Sequence, residues 1–356
     1  MRSHEFMIYG ATGFTGRLIA EEAVRRGHRP LLAGRSERPL AELAGRLGLE
    51  HAAFDLGDHR RLVEAVSAGD LVLHVAGPFV FTAAPMVRAC LEARTNYIDI
   101  TGELPVLQAT FACDDEALAA GIALVTACGF DVIPTDCLAA LVAARLPEAT
   151  SLEIAINTGT TPSPGTLLST IESLPRGGWV RREGLLWPYA LGRGARRQRF
   201  HDRERTVLPM PIGDLETAWR STGIPNITTY FSAPRWLPPL IRILGPLLRP
   251  LVRMQRVGAF IRRIALRYAP GPEQELQQHG FASVWARVAN QRGDSAEAWL
   301  QTAEPYRFTA MATVMAVEYV LATRPTGALA PSQALGADFV LKVPGSQLFE
   351  RLEGKG

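Results

Sequence analysis

The stretch Phe6-Met7-Ile8-Tyr9-Gly10-Ala11-Thr12-Gly13-Phe14-Thr15-Gly16 reads as strand, glycine turn and helix start. A short apolar run enters the turn, and beyond it Leu18, Ile19 and Val24 fall on one helical face. Each glycine has a mechanical use. Gly10 permits the tight turn, Gly13 lets the backbone approach a pyrophosphate, and Gly16 lets the helix pack close. The N–H groups at the helix start then bind phosphate oxygens, which makes Gly10, Thr12, Gly13, Phe14, Thr15 and Gly16 candidate phosphate-binding residues.

The same alternation continues outward from this turn. Strands are expected at Pro30 to Gly34, His51 to Asp55, Leu71 to Val75, Asn96 to Ile100 and Ile122 to Thr126. Helices are expected at Arg38 to Leu47, His59 to Val66 and Val106 to Ala120. Alternation of this kind implies parallel strands joined by right-handed crossovers, so the first half is read as an α/β, doubly wound Rossmann sheet of about six strands.

The second strand selects the cofactor. A site for NAD(H) places an acidic residue there for the ribose 2′-hydroxyl, whereas this strand ends Gly34-Arg35-Ser36. A planar guanidinium and a hydroxyl suit a 2′-phosphate, so NADP(H) is expected, although Glu37 leaves open a plain surface arginine. Asp55 and Leu56, after the third strand, are placed to line an adenine pocket, with helix capping as the competing role of Asp55. Ala76, Gly77 and Pro78, after the fourth, are placed on the nicotinamide side, with a plain turn as the alternative.

Composition bounds the rest. The 356 residues favour two domains, and 47% hydrophobic with 21% charged residues is globular. A net charge of +3 argues against nucleic acid as a partner. Cys90, Cys113, Cys128 and Cys137 lack metal-ligand or disulfide spacing, so no metal is expected and a cytoplasmic location is. Met1 to Phe6 leaves no room for a signal peptide, and no apolar run reaches the length of a membrane span.

Several blocks together resemble the saccharopine dehydrogenase-like oxidoreductases. They are Gly10 to Gly16, Gly34-Arg35-Ser36, Gly77-Pro78-Phe79, Ala89-Cys90, Tyr97 to Glu103 and Cys128 to Asp136. The likeness is specific over residues 6 to 137 and thins beyond, to Ser163 to Thr166 and Ala330-Pro331. His74, Pro164 and Glu304-Pro305-Tyr306 depart from the pattern. The resemblance implies a Rossmann domain joined to a second α/β (α+β) domain with an antiparallel-leaning sheet, and a substrate lying in the cleft between them. It also places Gly129 in the cofactor set. Its members include saccharopine reductases, acting on a C–N bond, and trans-acting enoyl reductases.

The domains are expected at 1–137 (NADP(H)-binding), 138–325 (substrate) and 326–356, a C-terminal segment free to pack back on the first. Within the second, Ser151 to Asn157 alternates as a strand, Gly165 to Leu174 suggests a helix, and Ala282 to Asn290 with Ala296 to Ala303 suggests a hairpin. Further helices are expected at Phe308 to Ala322 and Ser332 to Leu341. The insertion Thr217 to Pro272 contains nine arginines and no acidic residue. Arg242, Arg249, Arg253, Arg256, Arg263 and Arg267 recur at near-helical spacing among leucine, isoleucine and proline. Residues 235–268 therefore suit an acidic carrier protein, a membrane surface to which the chain is peripheral, a lid over an acyl chain, or an ordinary surface helix. A homodimer is left open.

The chemistry is narrowed by exclusion. No tyrosine has a lysine four residues later, and Lys342 and Lys355 are the only lysines, so neither a Tyr-x-x-x-Lys pair nor a Schiff base is available. Hydride must come from the nicotinamide, leaving the protein to position substrate and supply a proton. Tyr97, Asp99, Glu103 and Asp131, at or beyond the fifth and sixth strands, are the candidates. Structural roles compete for each: Asp131 and Asp136 could cap a helix starting at Thr135, and Asp99 could brace the turn before Gly102. His74, Cys90 and Cys128 read as core residues. The expected function is an NADPH-dependent oxidoreductase reducing a C=C bond of a small-molecule or acyl substrate. A saccharopine reductase-like C=N reductase or amino-acid dehydrogenase, and a catalytically silent NADP(H)-binding regulator, are the alternatives.

Overall fold

The strand β1 (His4–Tyr9) buries its last four residues and pairs in parallel with β2 (Leu31–Gly34) on one side and β4 (Gly69–His74) on the other. A strand buried on both faces reads as an unbroken apolar run, which is why Phe6 to Tyr9 shows no alternation. The computed structural model describes residues 4–159, 177–190, 192–243 and 280–352. These divide into two units, Met1–Ile133 with Tyr306–Gly336, and Pro134–Pro305 with Ala337–Gly356.

In the first unit, α1 (Phe14–Arg25) follows β1, α2 (Glu37–Leu47) joins β2 to β3 (His51–Ala53), and α3 (His59–Ser67) leads to β4. Then come α4 (Phe79–Ala93), β5 (Asn96–Asp99), α5 (Leu104–Phe111), α6 (Asp114–Ala120) and β6 (Ala123–Val125). All six expected strands are present, and the sheet runs β15-β6-β5-β4-β1-β2-β3, with β15 (Gly327–Leu329) parallel to β6 as a seventh. The order reverses between β1 and β4, and ligands of such sheets bind beyond the strand ends at that switch point.

Three expectations are corrected here. The single helix from Val106 to Ala120 is two, because Asp114, Asp115 and Glu116 form a new acidic first turn after Cys113. The loop or turn read at Ala76 to Phe79 ends at Pro78, because Phe79 begins α4, a helix not anticipated, which contains Pro85. The domain boundary also differs. The helix α9 (Pro305–Thr323), assigned from sequence to the second domain, belongs to the first unit from Tyr306 onward.

The physical reason for that reassignment is packing. Phe14 of α1 meets Tyr306 edge-on with ring centroids 5.1 Å apart. At the other end Arg26 Nε and Nη2 donate to Glu318 at 2.7 and 2.5 Å. Two contacts with the same offset in sequence mean that α1 and α9 run parallel, side by side, as neighbouring crossover helices do. Phe308, Val314, Val317 and Val320 are fully buried, each contributing about 1.5–3 kcal/mol of hydrophobic stabilisation. The chain then enters β15, so part of 326–356 returns to the Rossmann sheet while 337–356 joins the second unit.

The second unit is entered through α7 (Ile133–Ala143) and built on a nine-stranded mixed sheet. Its main path runs β10 (Arg196–Arg199), β11 (Glu204–Pro209), β12 (Asn226–Ser232), β7 (Ser151–Asn157), β13 (Phe281–Ala289), β14 (Ser295–Ala303), β16 (Gln347–Phe349). The pair β8 (Gly178–Arg182) and β9 (Leu185–Tyr189) joins it through β12, and α8 (Asp214–Thr222) precedes β12. Among the described residues of this sheet only β12 and β7 pair in parallel, so the antiparallel-leaning expectation describes the rest. The expected hairpin is β13–β14, in register from Phe281↔Ala303 to Ala289↔Ser295, with Gly293 at φ +92° in its turn. The expected helix Ser332 to Leu341 is instead α10 (Pro331–Leu335) and α11 (Phe339–Lys342), interrupted at Gly336 with φ +89°. The expected helix Gly165 to Leu174, the block Ser163 to Thr166, and residues 244–272 of the basic insertion lie outside the described residues.

Candidate active site

Gly10 stands at φ +95°, and a Cβ there would lie 2.8 Å from the Ala76 nitrogen. The turn after β1 is thus pressed directly against the loop after β4, which no side chain would allow. At Gly16 a Cβ would lie within 2.9 Å of Ala11 Cα, so α1 starts in contact with the turn. Gly13 is the N-cap of α1 and has no side chain to satisfy the first N–H groups, and the first turn has no acidic residue. An uncapped, uncompensated helix start at the switch point fits a pyrophosphate. Thr12 and Thr15 flank it, and Phe14 is held by Tyr306.

The second loop fits a 2′-phosphate. Arg35 is exposed and forms no ion pair among the described residues. The competing reading of Arg35 rested on Glu37, which accepts instead from His51 Nε2 at 2.9 Å. Ser36 is the N-cap of α2 but its hydroxyl makes no capping bond, leaving it a free donor. Beneath them Tyr9 donates to Phe54 O at 3.2 Å, and burial with the Asp55 charge pushes its phenol up to about 12. Asp55 Oδ1 accepts from Gly57 N at 2.8 Å and so shapes the turn beyond β3; capping of α3 falls to Asp58, which accepts from Arg61 N. Leu56 packs on the core below.

On the nicotinamide side, Ala76, Gly77 and Pro78 lead into α4, whose first N–H groups are occupied. Glu103 accepts from Phe79 N at 3.0 Å and from Val80 N at 2.9 Å. That removes Glu103 from the proton donors: its carboxylate is a cap on α4 and fixes the loop. Thr82 Oγ1 donates to Ala76 O at 2.6 Å, and His74 Nε2 lies 3.0 Å from the same hydroxyl. Because that hydroxyl's proton is used on Ala76, His74 must donate from Nε2. Burial pushes its imidazole down to about 3, so it is neutral and supports the loop; it is the core residue expected, but not a fully satisfied one, since no described residue hydrogen-bonds to its Nδ1.

Tyr97 and Asp99 are fully buried, which corrects their reading as proton donors to a substrate. Asp99 accepts from the Tyr97 hydroxyl at 2.8 Å, Thr126 Oγ1 at 2.9 Å, Thr101 N at 3.0 Å and Ala127 N at 2.8 Å. Burial raises its carboxyl, and these donors oppose the rise. The Tyr97 phenol is raised well above its ordinary value, by burial first and then by the Asp99 charge. Together they brace the loops after β5 and β6, where Ala127 adopts φ +67°.

Asp131 is different. It is exposed, no described residue hydrogen-bonds to its side chain, and it rests on Gly102, where a Cβ would lie 3.5 Å from its Oδ2. Desolvation by the surrounding protein pushes its carboxyl up. It does not cap a helix as the alternative supposed, since α7 begins at Ile133. Asp136 is no cap on a Thr135 start either; it is buried and accepts from Ser221 Oγ at 2.7 Å.

The loop carrying Asp131 is fixed by residues that sequence reasoning missed. Thr309 Oγ1 accepts from Phe130 N at 3.0 Å, and Thr313 Oγ1 donates to Cys128 O at 2.7 Å. Gly129, between them, packs so closely on Ile100 that a Cβ would lie 3.2 Å away. Thr309 and Thr313 are four residues apart on α9, and two small polar side chains at that spacing in a mostly apolar helix were the available signal. Cys90 and Cys128 are buried free thiols, consistent with packing roles.

Residues 6–125 match the family model described as the saccharopine dehydrogenase NADP binding domain. This stretch, about a third of the chain, is thus similar to the NADP-binding domain of saccharopine dehydrogenases. Curated relatives include a trans-acting enoyl reductase from Mycobacterium tuberculosis, 36% identical over 143 residues, which is 38% of this chain and 34% of that protein. Another, from Mycobacterium leprae, is 34% identical over 143 residues with the same coverage. The match thus spans about a third of those relatives' length. Among solved structures, the apo saccharopine dehydrogenase (L-Glu forming) from Saccharomyces cerevisiae aligns with a TM-score of 0.66 at 12% identity, covering 98% of this chain and 100% of that chain. A homospermidine synthase from Legionella pneumophila in complex with NAD aligns at 0.62 with 10% identity, covering 99% and 94%. At those identities the likeness is one of fold.

Proposed function

We propose that the chain is an NADPH-dependent reductase of an activated C=C bond in an acyl or other apolar substrate. The observation that carries the reductase reading is the similarity to an NADP-binding domain, whose loops here leave one exposed carboxyl, Asp131, beyond β6 and against Gly102. The similarity to trans-acting enoyl reductases supports a C=C over a C=N bond.

NADPH, when bound, supplies a hydride to one carbon of the double bond. The chain's own task is the rest. Gly10 to Gly16 and the start of α1 would hold the pyrophosphate, Arg35 and Ser36 the 2′-phosphate, and Ala76 to Pro78 would line the nicotinamide side. Asp131 donates its carboxyl proton to the second carbon, so the substrate gains one hydride and one proton and Asp131 is left as carboxylate until water reprotonates it. Its raised carboxyl keeps more of the acid form near neutrality than an ordinary aspartate would.

Two measurements test this. Thermal denaturation with each cofactor separates NADPH from NADH: at about 100 times its dissociation constant a ligand adds roughly 2.7 kcal/mol. Nicotinamide absorbance is then followed with 2-enoyl thioesters. Turnover should fall as pH rises through the Asp131 ionisation, because the acid form is the donor, and Asp131→Asn should lose at least about 100-fold in kcat with NADPH binding intact. Binding without oxidation by any enoyl, imine or saccharopine substrate would leave a silent NADP(H)-binding regulator.

A further inference from the structure

The helix that begins at residue 237 carries apolar side chains on two sides. On its outward side Trp236, Leu240 and Ile243 are 63%, 42% and 68% exposed, spaced four and three residues apart as one helical stripe. Pro238 is buried and Leu237 and Ile241 are half-buried on the opposite side. That side is seated firmly: a Cβ at Gly192 would lie 2.8 Å from the Arg242 nitrogen, so the loop after β9 abuts the helix. A helix of a globular protein turns its apolar stripe inward and its charges outward. Here a second apolar stripe faces water, including a tryptophan.

Charge frames this stripe with one sign. Arg235 and Arg242 are exposed beside it and pair with no described acidic residue. The sequence from Thr217 to Pro272 contains nine arginines and no aspartate or glutamate. On the neighbouring edge strand β9, Leu185 and Trp187 are also 65% and 55% exposed. No described helix is long and apolar enough to cross a membrane. We infer that the surface formed by residues 235–243 docks on an anionic phospholipid bilayer, lying in its interface.

The two kinds of residue have separate tasks. Trp236, Leu240 and Ile243 enter the boundary between headgroups and acyl chains, where indole is favoured because one end is apolar and the N–H stays wet. The arginines reach lipid phosphates while their aliphatic stems lie along the apolar stripe. Charge alone would equally suit an acidic protein, but the outward apolar stripe asks for hydrocarbon.

The test is flotation of the full chain with vesicles of phosphatidylcholine alone and with about a third phosphatidylglycerol. The chain should float with the anionic vesicles and be released by salt, and the tryptophan emission should shift to the blue. Trp236→Ser with Ile243→Ser should reduce flotation to background. Arg235→Gln with Arg242→Gln should weaken it roughly tenfold or more, at about 1 kcal/mol per charge. All four positions are on the surface, so NADPH-dependent stabilisation should be unchanged and reports folding of each variant. No flotation with anionic vesicles, flotation undiminished by the serine variant, or retention by an acidic acyl-carrier protein in place of vesicles would overturn the proposal.

Discussion

Among side chains, accessibility decides chemistry more sharply than residue type. Four acids and phenols stand beyond β5 and β6, yet Tyr97 and Asp99 are sealed and mutually bonded, and Glu103 is spent on the start of α4. Asp131 alone of the four is exposed with a raised carboxyl. The cofactor loops show the same economy: Arg35 is left unpaired because its acidic neighbour Glu37 is turned to His51. Arg35→Ala should therefore weaken NADPH binding roughly 10- to 100-fold, the value of one or two hydrogen bonds to a charged group, and leave NADH nearly unaffected. Titration of both cofactors against the variant checks this, and equal losses would remove the 2′-phosphate assignment.

For elements, the parallel pair α1 and α9 links the glycine turn to the loop of Asp131. Phe14 and Tyr306 meet at one end, Arg26 and Glu318 at the other, and Thr309 and Thr313 hold the Asp131 loop from between. His28 also joins Glu318, at 2.9 Å. Burial alone would lower its imidazole, but hydrogen bonds to Glu318 and Glu5 outweigh that and raise it. A raised histidine stabilises below its unfolded value and loses that contribution as pH climbs through the folded one. Glu318→Gln should cost about 1 kcal/mol, more at pH 5 than at pH 8, read by denaturant unfolding at both pH values. The six strands and the glycine turn were legible because each is local: an apolar run, a glycine and a helical face within about 20 residues. The α9 contacts were not, since Thr309 and Phe130 are 179 residues apart and nothing near either one names its partner. The break between α5 and α6 was missed, although the acidic cluster Asp114, Asp115 and Glu116 marks a helix start. The buried roles of Tyr97 and Asp99 were not legible, because a carboxylate bracing two loops and one meeting a substrate share the same sequence.

At the scale of the chain, the NADP-binding unit is not a contiguous segment. Residues 1–133 supply six strands, and 306–336 supply α9 and the seventh strand after residues 134–305 of the second unit have intervened. Without that return, β6 would present its free edge, with the buried Leu124 and Val125, to solvent, and the Asp131 loop would lose Thr309 and Thr313. An open apolar edge of this kind invites association. A fragment of residues 1–133 should therefore aggregate or bind NADPH at least tenfold more weakly than the full chain, since the loop ordering would be drawn from binding energy. The same fragment joined through a flexible Gly/Ser linker to residues 306–336 should stay monomeric and recover the affinity, because closing a longer loop costs only about 0.6 kcal/mol per doubling of its length. Size-exclusion chromatography with NADPH titration of the two fragments decides it. Full affinity in the short fragment would mean that α9 and β15 are attached to a domain already complete without them.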